Sequence, residues 1–306
     1  MNLFHKKDQY QGYNIYSMKK YVDKKRIIFT TIIVILIIIT LGFIIYYSVD
    51  TTIRLKNAKR FEQKLIEYES KQEELQKQER ERQAKIPKLT DEGKQNIKGI
   101  YKSETKRVFL TFDDGPSVNT ADVLDILKSN DIKATFFVLG TQVEKMPEMV
   151  KRAYQEGHYI ANHGYSHQYS QIYSSPETVL QEFNQCNSAV AKAIDVPEYN
   201  SHLFRFPGGS VGGKYANLKA EAVTLLEQNN IMHVDWNALT GDAEKSSPDE
   251  EYLMNNLQKT TQNKNSIVIL MHDAQAKRVT VEFLPKLIEF FQQQGYQFEN
   301  FYSIIK

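Results

Sequence analysis

Apolar residues follow three different patterns along the 306-residue chain. Residues 27–47 read IIFTTIIVILIIITLGFIIYY without one charge, which at about 1.5 Å per residue can cross a hydrocarbon core of roughly 30 Å. Residues 51–86 are rich in Glu, Lys, Gln and Arg and place apolar residues three, four or seven apart, which predicts a long solvated helix. From residue 100 onward, short apolar runs alternate with amphipathic stretches, a pattern typical of a folded domain.

The uncharged segment is interpreted as a transmembrane helix that is not cleaved. A signal peptide would have a shorter apolar region followed by small residues, whereas this segment ends in bulky residues at 43–47. A buried core helix seldom runs this long without a charge. More basic residues precede the helix than follow it closely, so we expect a single-pass protein of the cell membrane, with a cytoplasmic basic segment at residues 1–26 and the remainder outside the cell.

Residues 48–99 are expected to form a helical stalk and linker. The apolar stripe within residues 51–86 has two interpretations, a weak coiled coil that pairs two chains or a single solvated helix that acts as a spacer. Gln72 and Gln78 interrupt the stripe, and its spacing allows either outcome. Pro87 is expected to end the helix.

Strand-like and helix-like segments alternate about six times after residue 100. Strands are expected at residues 107–112, 134–139, 158–161, 203–206, 231–236 and 266–271. Helices are expected at residues 120–128, 143–156, 176–194, 216–229, 249–259 and 281–294. Such alternation predicts one α/β domain of parallel strands joined by crossover helices, arranged as an open sheet or a barrel.

Charge and cysteine content narrow the possible partners. The formal net charge of +2 divides into an excess of seven positive charges in residues 1–86 and of five negative charges in residues 87–306. A mildly acidic domain argues against nucleic acid as a partner. Cys186 is the only cysteine, which excludes an intrachain disulfide and a multi-cysteine zinc site, so metal ligands would be histidines and carboxylates.

Ionisable residues recur where the expected strands end. Because the carboxyl ends of parallel strands converge, residues far apart in sequence could share one pocket there. Each also has an ordinary interpretation: the Asp pair could lie in a turn, His272 in the core and Arg205 on the surface. The residues in question are Asp113, Asp114, His163, His167, Arg205, Asp242 and His272.

These residue types suit metal-assisted chemistry. Two adjacent carboxylates invite a cation that relieves their repulsion. His163 and His167 are four residues apart, which on a helical turn would place both imidazoles on one face, and with one carboxylate they would leave open positions on a metal, with zinc as the first candidate. His272 beside a carboxylate suits a general acid. The Pro-Gly-Gly after Arg205 favours a role in oxyanion binding.

In this order the motifs resemble carbohydrate esterase family 4, the NodB-homology polysaccharide deacetylases, over residues 100–306. TFDDGP at residues 111–116 matches the family motif without change, which implies Asp113 as catalytic base and Asp114 as metal ligand. His163 and His167 match H-[S/T]-x-x-H and are implied as the other ligands, with Gly164 in place of Ser or Thr.

The later motifs are less complete. The RFPG at residues 205–208 is similar to R-x-P-[Y/F] with Gly208 in place of the aromatic residue, and LMH at residues 270–272 fits L-x-H. The D-x-x-D-W motif is poorly kept, with Ala243 in place of Trp. The resemblance implies His272, Arg205 and Asp242 as further catalytic residues, the last as partner of His272, and Pro207, Gly208 and Leu270 as substrate-binding residues.

The resemblance also implies a fold and an activity. The fold would be an irregular (β/α) barrel of seven or eight parallel strands at residues 100–306, preceded by the transmembrane helix and the stalk. The activity would be metal-dependent removal of N-acetyl groups from a polysaccharide, with zinc as the first candidate among divalent ions. Peptidoglycan N-acetylglucosamine is the first substrate, and poly-N-acetylglucosamine or chitin oligosaccharides are alternatives. A glycan-binding domain without activity and a phosphoesterase using Asp113 covalently are the other hypotheses, opposed respectively by the complete set of ligands and by the paired histidines.

Overall fold

A computed structural model describes residues 15–305. It begins with one continuous helix, α1 (Ile15–Ala84), which spans the predicted membrane segment and most of the predicted stalk. Within residues 15–305 this is the one helix long and apolar enough to cross a membrane. Residues 1–14 of the predicted basic segment lie outside the described residues.

The described part of the chain divides into two compact units between residues 78 and 79. Residues 79–99, which we expected in the stalk and linker, therefore pack with the second unit. Ile86 and Leu89 are buried, and the short helix α2 (Asp91–Lys98) is capped by the Thr90 hydroxyl, which accepts the Gly93 N–H. The sequence did not predict α2, because its eight residues include a single aliphatic side chain, Ile97.

Parallel strands form one curved sheet. Among the described residues, the strand order is β5-β4-β3-β2-β1-β7-β6, and β8 pairs with β1 beside β2. This arrangement confirms the predicted irregular barrel of seven or eight parallel strands. The strands are β1 (Arg107–Asp113), β2 (Thr135–Val138), β3 (Tyr159–Asn162), β4 (Leu203–Phe204), β5 (Met232–His233), β6 (Ala238–Leu239), β7 (Ser266–His272) and β8 (Gln297–Glu299).

Helices cover the sheet close to the expected positions, with two differences. The helix expected at residues 143–156 is split in two because Pro147, which has no N–H, begins a new helix. The second difference is that the helix α6 was not predicted, nor were the strands β6 and β8. These elements have two to four residues each, too few to produce a periodic pattern. The helices are α3 (Val118–Ser129), α4 (Gly140–Lys145), α5 (Pro147–Gln155), α6 (Tyr169–Ile172), α7 (Pro176–Ile194), α8 (Ala216–Gln228), α9 (Glu250–Thr261) and α10 (Arg278–Gln293), followed by a 3₁₀ turn (Phe301–Ser303).

The two central strands, β1 and β7, are buried on both faces. Successive side chains alternate between two apolar clusters: Leu110 and Ile269 pack on one side, and Phe109 and Val268 on the other. Strands of this kind can expose ionisable groups only at their ends. Asp113 and His272 are register partners at the carboxyl ends of β1 and β7, which brings two predicted site residues side by side.

Candidate active site

A cavity of about 290 Å³ opens at the carboxyl edge of the sheet and collects most of the predicted site residues. Arg205 lies fully buried and reaches Asp113, so the alternative of a surface arginine is wrong. Pro207 is buried outside the cavity lining, with its carbonyl accepting the Tyr173 hydroxyl at 2.7 Å, and its role in substrate binding stays a prediction. The predicted residues that line the cavity are Asp113, Asp114, His163, His167, Gly208, Asp242, Leu270 and His272.

Three of these residues direct ligand atoms at one point. Asp114 Oδ1 lies 3.5 Å from His163 Nε2 and 3.5 Å from His167 Nε2, and these three ligand atoms all lie within 4.8 Å of one another. Donors bound to a tetrahedral zinc ion at about 2.0–2.2 Å are about 3.3–3.6 Å apart, so the spacing fits such an ion. Asp114 Oδ1 is buried and has no hydrogen-bond partner among the described residues, as expected of an oxygen that binds a cation.

The contacts around His163 set which ring nitrogen faces this point. Its Nδ1 lies 2.7 Å from the Arg205 carbonyl oxygen, to which it donates, so Nε2 keeps its lone pair for a ligand. His163 is buried, and burial lowers its pKa to about 3. The imidazole is therefore neutral at physiological pH, the form that binds metal ions.

The two histidines are not on a helical turn, and that expectation is wrong. They lie in a loop after β3, in which Gly164 has a φ of +91° and His167 a φ of +58°. Left-handed backbone at these positions prevents a helix, and only glycine adopts it without cost. The buried Glu182 of α7 holds the loop by accepting the N–H groups of Tyr165 at 2.6 Å and Ser166 at 2.7 Å and the Ser166 hydroxyl at 2.7 Å.

Asp113 forms a buried ion pair with Arg205. The guanidinium donates from Nη1 to Asp113 Oδ1 at 2.9 Å and to the Thr111 hydroxyl at 2.7 Å, and from Nη2 to the Asp235 carbonyl at 3.0 Å. Burial raises the pKa of Asp113, and the charge and hydrogen bond of Arg205 oppose that rise. Arg205 thus favours the ionised carboxylate.

Beside Asp113, at the end of β7, Asp242 holds His272. The carboxylate oxygens accept the His272 N–H at 2.7 Å, its Nδ1 at 3.1 Å and the Thr280 hydroxyl at 2.8 Å. Burial lowers the pKa of His272, but the hydrogen bond and charge of Asp242, with the charges of Asp113 and Asp114, outweigh burial and raise the pKa to about 9. The pairing of Asp242 with His272, expected from a weakly kept motif, is present in the structure.

Sequence reasoning missed several residues of the cavity. The one signal in the sequence for Trp236 is that it is the only tryptophan of the chain. Tyr169 follows His167 by two residues, but a helix of four residues has no detectable period. The lining residues that we did not predict are Tyr169, Trp236, Leu239, Gly241, Ala243 and Glu244.

Comparison with known proteins points to one family. The family profile described as polysaccharide deacetylase matches residues 101–225. The putative polysaccharide deacetylase YheN of Bacillus subtilis is 36% identical over 198 residues, which cover 63% of this chain and 66% of that protein. A peptidoglycan-N-acetylglucosamine deacetylase of Bacillus cereus is 33% identical over 205 residues, which cover 65% of this chain and 71% of that protein.

Solved structures give the same result. A CE4 esterase of Streptococcus mutans superposes with a TM-score of 0.62 at 30% identity, covering 68% of this chain and 90% of that chain. The catalytic domain of a peptidoglycan N-acetylglucosamine deacetylase from Eubacterium rectale superposes with a TM-score of 0.60 at 31% identity, covering 65% of this chain and 90% of that one. These likenesses confirm the resemblance seen in the motifs, and the chain belongs to the polysaccharide deacetylase family of carbohydrate esterases.

Proposed function

We propose that this protein is a zinc-dependent hydrolase that removes N-acetyl groups from the N-acetylglucosamine of peptidoglycan. The observation that carries the proposal is the placement of an arginine-paired carboxylate and a carboxylate-paired histidine beside the ligand cluster of Asp114, His163 and His167. A base, an acid and a cation site in one cavity are the parts that amide hydrolysis requires.

Asp114, His163 and His167 would hold the zinc ion. When bound, zinc polarises the acetamide carbonyl and lowers the pKa of the attacking water. Asp114 Oδ1, buried without a hydrogen bond in the described residues, and the fixed Nε2 of His163 support this assignment of ligands.

The chain supplies a base, Asp113, and an acid, His272, at the ends of the adjacent strands β1 and β7. Asp113, kept ionised by Arg205, accepts a proton from the attacking water while the oxygen of that water forms a bond to the carbonyl carbon of the acetamide. The backbone N–H of Gly208 donates to the developing oxyanion, for which one donor is worth about 3 kcal/mol. His272, held by Asp242, donates its Nε2 proton to the sugar nitrogen as the carbon–nitrogen bond breaks, which releases acetate and a glucosamine residue.

The choice of sugar rests on the relatives and on the membrane segment. Peptidoglycan-N-acetylglucosamine deacetylases of Bacillus cereus and Listeria monocytogenes are 30–34% identical to this chain. An apolar helix long enough to cross a membrane would keep the domain near the cell wall. We propose that residues 1–26 are cytoplasmic and that residues 27–47 anchor the protein in the membrane. Residues 48–99 would form a stalk and linker, and residues 100–306 an extracellular deacetylase domain.

The test is acetate release by the zinc-loaded, full-length protein in detergent, measured on purified peptidoglycan and on an N-acetylglucosamine tetramer. Asp113→Asn and His272→Ala should each reduce the rate by about 10²–10⁴-fold, the usual contribution of a general base or acid. Wild-type rates in both variants would overturn the mechanism. Release from the tetramer but not from peptidoglycan would overturn the choice of substrate.

A further inference from the structure

Tyr169 occupies the space into which a side chain at position 208 would project. A Cβ atom added at Gly208 would lie 2.6 Å from the Tyr169 hydroxyl oxygen and 3.3 Å from its Cζ. Gly208 also has a φ of +73°, which favours glycine. The cavity wall at this point is therefore formed by the phenol of Tyr169, contributed by the start of α6, and not by residue 208 itself.

The phenol ring of Tyr169 packs against two neighbouring rings, those of Tyr173 and His167. It packs edge-on against Tyr173, with ring centroids 5.6 Å apart at 74°, and Tyr173 is buried and donates its hydroxyl to the Pro207 carbonyl. The ring also lies 5.6 Å from that of His167. These contacts hold the Tyr169 ring between the loop that contains His163 and His167 and the segment that contains Gly208. The ring is therefore positioned before any ligand binds.

The front of the ring is open to the cavity. Tyr169 is 41% exposed, and its hydroxyl makes no hydrogen bond among the described residues. A fixed aromatic face with a free O–H fits a pyranose sugar, because the C–H face of the sugar packs on an aromatic ring and its oxygens accept hydrogen bonds. Trp236 and Leu270 line the same cavity and add apolar surface.

We infer that Tyr169 is a specificity-determining residue that binds a hexosamine ring of the glycan, through its aromatic face and a hydrogen bond from its hydroxyl. It performs this task at the wall where Gly208 has no side chain. The inference rests on the proposed function for the identity of the glycan. It concerns substrate binding, since Tyr169 contributes no proton to the reaction.

The experiment compares Tyr169→Phe with Tyr169→Leu in the zinc-loaded, full-length protein. Both substitutions keep bulk beside His167, but Leu removes the aromatic face. With the N-acetylglucosamine tetramer, we expect KM to stay within about threefold for Phe and to rise about tenfold for Leu. With 4-nitrophenyl acetate, which carries an acetyl group but no sugar, the loss caused by Tyr169→Leu should be several-fold smaller than with the tetramer, because no sugar ring is there to pack on the aromatic face.

Tyr165→Phe is the matched control for loss of a hydroxyl. Tyr165 lies in the same loop and donates to Glu144 at 2.9 Å, outside the cavity lining, so its KM for the tetramer should equal that of the wild type. Equal KM values for Tyr169→Leu and the wild type would overturn the inference. So would equal increases in Tyr169→Phe and Tyr169→Leu accompanied by equal losses on 4-nitrophenyl acetate, which would indicate a structural role.

Binding of the tetramer, followed by the fluorescence of Trp236, separates this inference from the proposed function. Trp236 is the only tryptophan and lines the cavity, so its emission reports on the site directly. If the wild type binds the tetramer without releasing acetate and Tyr169→Leu weakens binding about tenfold, the proposed function fails and the role of Tyr169 stands. If Tyr169→Leu loses its zinc, the same titration on zinc-free proteins decides, and an unchanged Kd would overturn the inference.

Discussion

Two histidine–carboxylate groups lie at the same edge of the sheet and differ in how their oxygens are used. In the first, Asp114 Oδ1 is buried beside His163 and His167 without a hydrogen bond among the described residues. In the second, Asp242 accepts hydrogen bonds from the backbone and ring of His272 and from Thr280. Side chains and backbone of the protein thus satisfy the hydrogen-bonding capacity of the carboxylate in the second group, whereas the first group has the ligand atoms of a cation site.

The backbone shows the same contrast. Asp114 and His167 both have left-handed φ values, +70° and +58°, a conformation that costs non-glycine residues about 1–3 kcal/mol each. His272 instead ends the regular strand β7. Strain at the first group and full hydrogen bonding at the second indicate two tasks: one group positions ligand atoms for a metal, and the other positions a proton.

The largest effect is expected from removing a ligand of the first group. Asp114→Ala should lose bound zinc and reduce acetate release by about 10³-fold or more, because zinc supplies both carbonyl polarisation and water activation. Asp242→Asn should retain zinc, since Asp242 belongs only to the second group. Zinc per chain after dialysis, measured by atomic absorption, checks both variants, and equal zinc contents would contradict the division of tasks.

The second group is expected to control the alkaline limb of the pH profile. His272 must be protonated to act as the acid, and its raised pKa of about 9 keeps it so at physiological pH. The wild-type rate should fall as pH rises through about 9. In Asp242→Asn, the loss of the charge and hydrogen bonds that raise this pKa should move the limb to lower pH.

Stability should follow the same titration. The pKa of His272 is higher in the folded state than its ordinary value of 6.5, so its contribution is complete below that value and is lost as pH rises through about 9. Thermal unfolding of wild type and Asp242→Asn between pH 6 and 10 measures the loss. A pH dependence that is identical in the two proteins would show that Asp242 does not raise the pKa of His272.

A smaller effect is expected at the support of the histidine loop. Glu182→Gln keeps the shape of the side chain but removes its negative charge and replaces one of the two carboxylate oxygens, which together accept three hydrogen bonds from Tyr165 and Ser166. Zinc affinity should fall about tenfold, as for other residues that orient metal ligands, while the alkaline limb stays in place. Competition with a chelator measures the affinity, and Glu221→Gln, exposed on α8, is the control.

The smallest effect is expected at Thr280. Thr280→Val removes one of the hydrogen bonds to Asp242 and should lower the free energy of unfolding by about 1 kcal/mol. Zinc content should not change. Urea unfolding of this variant beside Thr141→Val, a half-buried position on α4 whose hydroxyl makes no hydrogen bond among the described residues, separates the lost hydrogen bond from the change of side chain.

The sequence predicted the ionisable residues of both groups but not the residues that hold them in position. Asp113 and His272 end continuous apolar strands and Asp114 follows directly, and an apolar run with a polar end is visible in the sequence itself. The contacts of Glu182 with Ser166 and of Thr280 with Asp242 join different elements, so no local pattern reveals them. The expected helical turn at His163 and His167 was wrong because spacing alone does not report the left-handed backbone at Gly164.

The short elements illustrate the same limit. Tyr169 lies in a helix of four residues, and the strands β6 and β8 have two and three residues, which are held by neighbouring strands and not by their own propensity. Positions of this kind depend on the assembled sheet. The six predicted strands and six predicted helices alternate clearly in the sequence, and this alternation predicts the parallel α/β fold.

Zinc titration into chelator-treated, full-length protein tests the central claim most directly, with acetate release from peptidoglycan as the readout. The account predicts no release without zinc, a linear rise to one zinc per chain and no restoration in Asp114→Ala. Full release by the chelated protein, or equal restoration of Asp114→Ala and the wild type, would contradict it.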